Sequence, residues 1–498
     1  MKNYAMRYLL LFILVLSLPR TGQAQVSVVW NRTYGSPRSE IGGYTVAMPT
    51  GGYLLLSGVE ETAFPPPTLA RFLYFVRTNA VGDTLWTKKM QPFRTLRPFP
   101  SGLAVDNTGN VLVTGGESSG NGYGFMIKLT PACDTIWTRI FHYTGPGNST
   151  GSCDSPMLTP DGNYAALEYT ALFGVGNTTL YDHYLTKINA ITGASVWRVP
   201  FAGIFQANGF SSVNSYVTSV IKTSAGFLAF ADGVSSAGID GNPSTVVMDT
   251  GGNLIRFRTR RDIAPNSFPV AYATADGNVV VGRRQMATKL TPAGDTLWHT
   301  RVPRRLGRDW DAASLCEDAQ GNYVVAGNSR FYIGGSQLAA NVHLTRFRPR
   351  TGQVVNDTML FRSGETYAST VLRTAAGRLL IGGWYANGPY GGTDAFLTEW
   401  SAFAPLAARA GATSARGTFQ AYPNPAGAAG ATLLLPQPSP SGGTLIVFDG
   451  QGRSCARQAV PPGTAALALP LAGLPPGLYL LRYEGRNGTC STTHLVRE

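Results

Sequence analysis

Residues 128–137 read "KLTPACDTIW" and residues 289–298 read "KLTPAGDTLW", one ten-residue phrase with two changes, 161 positions further on. A chain that repeats a corner this closely is built from copies of one supersecondary unit, each copy meeting the same steric problem. Two marks alternate along the sequence. The first is a turn running into a strand: "TGGYLLLSG" (50–58), "TGNVLVTGG" (108–116), "DGNYAALEY" (161–169), "AGFLAFADG" (225–233), "DGNVVVGRR" (276–284), "QGNYVVAGN" (320–328) and "AGRLLIGGW" (376–384). Their glycines lie 44 to 64 residues apart, and D-G and related pairs supply the positive φ that a hairpin turn needs.

The second mark is the quoted phrase: a strand, the turn "PACD" or "PAGD", and an outgoing strand that opens on tryptophan. The tryptophans are Trp86, Trp137, Trp197 and Trp298, with Ile255 and Val355 read as their replacements in two units. Trp30 in "VVWNRTYG" has no such turn before it, while "DAFLTEWSAF" (394–403) supplies an ingoing strand with no outgoing one. The orphan at the front matches the vacancy at the back. Each unit of about 54 residues holds roughly four strands, and four antiparallel strands repeated radially make a propeller blade. The expectation is an all-β chain: a seven-bladed β-propeller over 25–403, its last blade completed by the Trp30 strand. The indoles of Trp30, Trp86, Trp137, Trp197 and Trp298 are expected to fill the wedges between blades, where a large flat ring buries most area. Tandem Ig-like sandwiches, the competing architecture, need about 100 residues per module.

Composition agrees. Charged residues make up 14% of the 498, with 59 Gly and 32 Pro, a profile of short strands and tight turns. Alternating runs such as "NVLVTGG" and "NYVVAG" recur, and no interior stretch sustains helical apolar spacing. The first 24 residues differ. Lys2 and Arg7 precede an apolar run from Tyr8 to Leu18, Pro19 breaks it, and "GQAQ" brings small residues to Ala24. This is the pattern of a secretory signal peptide, and the run is too short for the roughly 20 apolar residues of a membrane anchor.

Five cysteines in an exported chain leave one over if the rest pair. Cys133 with Cys153 and Cys455 with Cys490 are the pairs that could meet; Cys316 is the odd one, and buried thiols throughout are the plainer expectation. The formal charge of +13 includes two arginine clusters, Arg256, Arg258, Arg260, Arg261 and Arg301, Arg304, Arg305, Arg308. A basic face attracts acidic polysaccharide or nucleic acid; a charged edge that discourages strand pairing is the simpler reading, and no nucleic-acid partner is expected.

"INAITGASVW" (188–197) resembles the tryptophan-bearing repeat of quinoprotein-like propellers, and "GGTDAFLTEWSAF" with "WNRTYG" resembles propeller repeats of exported Bacteroidetes proteins. After an Ala-rich linker (404–418), residues 419–498 read as a small β-sandwich of short strands and Pro/Gly turns. This tail resembles the C-terminal sorting domain of the type IX secretion system. The matching residues are Tyr422, Pro423, Asn424 and Pro425, then Asp449 and Gly452, then Leu474, Pro475, Gly477 and Tyr479. The resemblance implies the secretion machinery as a partner, export to the outer cell surface after passage through the periplasm, and removal of the tail. The chain departs from the family in ending "VRE" rather than in Lys. Four D-T-hydrophobic triplets resemble the O-glycosylation acceptor of the same bacteria, implying sugar on Thr84, Thr135, Thr296 and Thr358; turn chemistry is the plainer reading.

Catalytic patterns are thin. "GNSTG" around Ser149 fits G-x-S-x-G, but its Gly/Ser-rich surroundings lack the strand-to-helix elbow. His142, His183, His299, His343 and His494 show no metal-ligand spacing, and His299 should point away from Trp298. A quinone cofactor would bring adjacent cysteines and an acidic calcium loop; neither is present, so no cofactor and no metal is expected. Asp154, Asp182, Asp309 and Asp311 are the carboxylates that a ring mouth could pair for glycoside hydrolysis. The functional expectation is a secreted, monomeric binding or scaffold protein with a glycan or protein ligand at one propeller face; the alternative is a polysaccharide hydrolase.

Overall fold

The computed structural model describes residues 27–63, 68–92, 97–117, 123–141, 149–173, 179–210, 216–233, 242–260, 270–302, 309–333, 336–360, 365–386, 388–401, 420–427, 430–435, 441–449, 454–485 and 490–498. It divides into two compact units, Met1–Pro405 and Leu406–Glu498. The signal-peptide, linker and Arg261, Arg304, Arg305 and Arg308 readings lie outside the described residues, as do His142 and Gly452.

The first unit is nearly all strand and is ordered in antiparallel quartets. Quartet 1 runs Glu40–Ala47, Tyr53–Ala63, Thr68–Thr78, Thr84–Met90, and quartet 2 Pro98–Val105, Val111–Glu117, Gly124–Leu129, Thr135–Phe141. Quartet 3 is Ser149–Leu158, Tyr164–Phe173, Thr179–Ile188, Ser195–Pro200, and joins quartet 2 in one eight-stranded sheet through the single pair Ser152–Gly116. Quartets 4 and 5 are Tyr216–Thr223, Gly226–Gly233, Asn242–Met248, Leu254–Thr259 and Val270–Ala273, Val279–Arg283, Met286–Leu290, Thr296–Arg301. Quartet 6 is Asp309–Glu317, Tyr323–Ile333, Ser336–Phe347, Val354–Leu360. The last holds Thr366–Arg373, Leu379–Ala386 and Thr393–Trp400, and takes its fourth strand, Val28–Tyr34, from the front of the chain: Thr33 pairs with Phe396 and Trp30 with Glu399. The one described helix, Phe201–Ala207, follows quartet 3 and buries Phe201 and Phe205.

The second strand of each quartet is buried on both faces, and this corrects the alternating reading of runs such as "NVLVTGG". Val111–Glu117 is buried at every position. Successive residues point to opposite faces of a strand, and here each face meets a different apolar core. Leu54 and Leu56 join Val111, Val113 and Phe125 of quartet 2, while Leu55 between them joins Leu380 and Leu397 of quartet 7. The same sharing links quartets 2 and 3, 3 and 4, 4 and 5, 5 and 6, and 6 and 7. Every quartet is thus clamped between two neighbours, and the last is clamped to the first.

The first strands also follow one another in contact, with Glu40–Ala47 against both Pro98–Val105 and Thr366–Arg373. Six of the seven carry a register shift, at Ile41/Tyr44, Pro100/Gly102, Asp154/Met157, Val217/Ser219, Ala312/Ser314 and Ala368/Thr370. Bulges of this kind bend a strand and re-aim its side chains.

In the second unit a three-stranded sheet (Gln420–Tyr422, Ala431–Leu434, Ala466–Leu469) and a four-stranded one share one core. The four-stranded order is Ser454–Val460, Gly443–Phe448, Gly477–Gly485, Cys490–Arg497. Leu433 and Leu469 of the first sheet meet Leu445, Val447, Leu481 and Leu495 of the second.

Candidate functional site

The quoted phrase forms the corner between third and fourth strands. In "TPACD" Thr130 N donates to Asp134 O (2.8 Å) and Cys133 N to Thr130 O (2.9 Å); Thr291, Gly294 and Asp295 repeat the pattern. Gly294 sits at φ 80° and Cys133 at φ 59°, so the cysteine adopts a left-handed backbone that costs an L-residue roughly 1–2 kcal/mol. Its thiol is wholly buried in the core between quartets 1 and 2, which offsets the strain.

Each corner is seated by the fourth strand of the preceding quartet. A Cβ added to Gly193 would lie 2.9 Å from the Trp137 indole, one on Gly252 would lie 3.3 Å from Trp197, and those on Gly82 and Gly352 would run into Trp30 and Trp298. Trp137 Nε1 donates to Ala190 O (3.1 Å) and Trp298 Nε1 to Pro349 O (3.0 Å). Trp86 packs on the core that holds Cys133.

Strand register corrects the two supposed replacements. The tryptophans stand opposite Arg77, Lys128, Lys187, Lys289 and Glu399. The corresponding residues in quartets 4 and 6 are Arg256, opposite Val247, and Asn356, opposite Arg346. Ile255 is 58% exposed, like the residue before each corner tryptophan, because alternate positions of a strand face opposite ways. Arg256 takes over the seating role: with Arg258 it holds Asp295 at 3.0 and 2.8 Å. Arg260, 3% exposed, bonds Gly294 O and Thr296 Oγ1. Three arginines read as a basic face are therefore engaged with the next corner, and Arg301 remains exposed.

The residues opposite the tryptophans were missed as a set. Lys128, Lys187, Lys289 and Arg346 are each at most 9% exposed and reach acids of the inner hairpin turns: Asp106 at 3.8 Å, Asp161 at 2.7 Å, Asp276 at 2.5 Å and Asp318 at 2.5 Å. Burial would raise Asp276, but bonds from Lys289, Thr274 and Asn278 outweigh it and hold the carboxyl at about 2. The signal was the cation inside "MIKLT", "ATKLT", "LTKIN" and "LTRFR".

Two groups of polar residues remain at the opposite ends of these strands. On the first strands, Ser152 Oγ donates to Asp154 Oδ1 (3.1 Å) and Ser101 Oγ to Cys153 O (2.6 Å). Burial raises the Asp154 carboxyl against the Ser101 and Ser152 bonds; burial and then the Asp154 charge push the Tyr44 hydroxyl up to about 12. Quartets 1, 2 and 3 each contribute to this cluster. The second group is Glu40 and Asp394, both wholly buried. Glu40 is pushed up to about 7 by burial, opposed by bonds from Ser36 and aided by the Asp394 charge.

Of the four carboxylates singled out from sequence, Asp154 and Asp182 fall in quartet 3, Asp309 and Asp311 in quartet 6; Asp311 faces Arg284 at 4.0 Å. Ser149 opens a strand rather than a helix, so its pattern has no elbow. His343 is held by Asp357 at 3.1 Å, and His183 is buried against Tyr169. His299 is exposed beside the buried Trp298. Thr84, Thr135 and Thr296 open fourth strands at exposed corners, whereas Thr358 sits within Val354–Leu360 and donates to Asn356 Oδ1 at 2.8 Å.

Cys133 and Cys153 lie in different cores and remain thiols; Cys316 is a third buried thiol. Cys455 and Cys490 sit on the two edge strands of the four-stranded sheet, three strand spacings or about 14 Å apart, too far to pair.

In the second unit Asn424, of the residues likened to a sorting motif, lies against the terminal strand. Asn424 Nδ2 donates to His494 O and Asn424 Oδ1 accepts from Val496 N, both at 2.8 Å. Ala426 N donates to Val496 O (2.8 Å) and Glu498 N to Ala426 O (3.0 Å). "PNPA" thus lies parallel to the last strand. Tyr479, buried, donates to Pro475 O (2.6 Å); Tyr422 is exposed, and Leu474 N donates to Leu471 O.

Quartets that share their cores in sequence order, with the last bound to the first, define a β-propeller repeat protein carrying a second all-β unit. No family model and no curated protein matches the chain. Among solved structures it is similar to a protein of unknown function from Dyadobacter fermentans DSM 18053, at 11% identity and TM-score 0.40 over 76% of this chain and 99% of that one. It is also similar to the quinohemoprotein alcohol dehydrogenase ADHIIG of Pseudomonas putida HK5, at 10% identity and TM-score 0.39 over 77% of each. Those scores carry no argument about chemistry; the fold rests on the strand pairing.

Proposed function

We propose that this chain is an exported seven-bladed β-propeller that serves as a rigid binding scaffold, with an Ig-like C-terminal sorting domain that delivers it through the type IX secretion machinery to the outer surface. The observation that carries the reading is the pairing of Val28–Tyr34 with Thr393–Trp400. It supports reading the quartets as seven blades, because the last takes its fourth strand from the front of the chain and shares a core with the first, with the connections between blades around one end. Tight turns occupy the other end. The end that bears the connections gathers chain from every blade, the usual place for a ligand on such a fold. Glycan and protein surfaces are the ligand classes that suit it. The bonds from Asn424 to the backbone at His494 and Val496 support reading 422–425 as the motif of that domain.

Glu40 and Asp394 do not favour a hydrolase, since a carboxylate pair with no exposed surface cannot meet a polysaccharide. The test is a glycan array on the purified protein beside hydrolysis assays on the same sugars. Retained binding without turnover is the expected result; turnover without retained binding defeats the reading.

A further inference from the structure

We propose that Glu40 and Asp394 form a divalent-cation site of the oxygen-ligated, calcium type, which pins the junction where the closing strand passes into quartet 1. The two residues are 354 positions apart in sequence and meet only because the ring closes. Both side chains have 0% exposure. Glu40 spends Oε1 on Ser36 N at 3.0 Å, and Asp394 spends Oδ2 on Tyr390 N at 3.0 Å. The other oxygens, Glu40 Oε2 and Asp394 Oδ1, are buried with no hydrogen-bond partner. Both turn toward Gly35, where a Cβ would overlap Asp394 Oδ1 and lie 3.2 Å from Glu40 Oε2. Gly388 is bare for the same reason, since its Cβ would overlap Asp394 Oδ2.

Two unpartnered carboxylate oxygens facing one buried space need a positive charge, because an isolated buried anion costs several kcal/mol. Among the described residues no lysine or arginine bonds either acid; Lys89, whose charge acts on Glu40, is paired with Glu61. What is bonded to them is the hydroxyl and backbone N–H of Ser36 and the backbone N–H of Tyr390. A donor set of carboxylate and hydroxyl oxygens suits calcium or magnesium. Calcium is favoured, because ligands from two strands and one loop give an irregular set that magnesium's strict octahedron rejects. The competing occupant is a single proton shared by the two acids.

The test uses the full chain, stripped with a chelator and titrated with calcium chloride by calorimetry and by thermal unfolding. One saturable calcium per chain is expected, with a dissociation constant below about 1 mM and a Tm that climbs with calcium concentration by several degrees. Asp394→Asn and Glu40→Gln each lose at least tenfold in affinity and most of that climb. A wild-type chain that takes up no saturable calcium overturns the site and leaves the shared proton. So does calcium binding that survives both substitutions unchanged. If the variants do not fold, the wild-type titration alone decides.

Discussion

The indole of Trp137 rests on the Cα of Gly193, a residue of the next quartet, so closely that a Cβ there would stand 2.9 Å from the ring. Gly193 also sits at φ 70°. Gly162, at φ 79°, has nothing within 4 Å of its Cβ position. Gly162→Ala should cost only the left-handed backbone, about 1–2 kcal/mol. Gly193→Ala adds the displaced ring and should cost about 3 kcal/mol or more. Denaturant unfolding of the two variants side by side reads the difference; equal losses would mean that the ring yields freely and does not brace the corner.

Burial pushes the thiols of Cys133 and Cys316 up to about 12 and raises Cys153 well above its usual range. The thiolate is the reactive form. At pH 8 a disulfide reagent should leave all three untouched in the native protein and modify all three in denaturant, as peptide mapping would show. Native labelling at Cys133 within minutes would contradict its place in the core.

His183 is held down to about 3 by burial, against about 6.5 in an unfolded chain. The folded state therefore prefers the neutral ring. Its contribution is fully present above pH 6.5 and is lost as pH falls through the window down to about 3. Between pH 7 and pH 5 the loss should be about 2 kcal/mol. His183→Leu, which does not titrate, should flatten the stability profile over that interval; an unchanged slope would assign it to other groups.

Asn424 closes a two-point clamp on the backbone at His494 and Val496. Asn424→Ala removes both bonds and should weaken the seating of the last strand by about 1–3 kcal/mol. Hydrogen exchange on the full chain offers the direct readout: the Val496 amide should exchange at least fivefold faster, while amides of the Gly443–Phe448 strand keep their protection.

Much of the fold could be read from repetition alone. The turn glycines and corner tryptophans recur at one blade's spacing, and the unpaired Trp30 strand lies on residues 393–400. What the letters hid is what side chains do across a junction. Arg256 and Asn356 escaped because a polar residue in the tryptophan's place erases the apolar mark, and Ile255 and Val355, one step away, carry the only hydrophobic signal in view. The lysines opposite the tryptophans carried no mark of their own, since a lone charge in a strand is ordinarily outside; here each meets an aspartate from a hairpin turn. Glu40 and Asp394 had no legible connection, because closure, not sequence distance, brings them together. The two-sided burial of Val111–Glu117 passed for alternation since small residues, Gly115 and Gly116, interrupt the apolar run.

The borrowed strand at Val28–Tyr34 has a consequence for how the molecule comes into being. Until residues near 400 have been made, quartet 7 does not exist, and Val28–Tyr34 has nowhere to dock. A nascent or truncated chain would carry that segment loose and leave an open seam on quartet 1. Completion is therefore a late event, reached only when the Thr393–Trp400 strand is made and gives Val28–Tyr34 its partner.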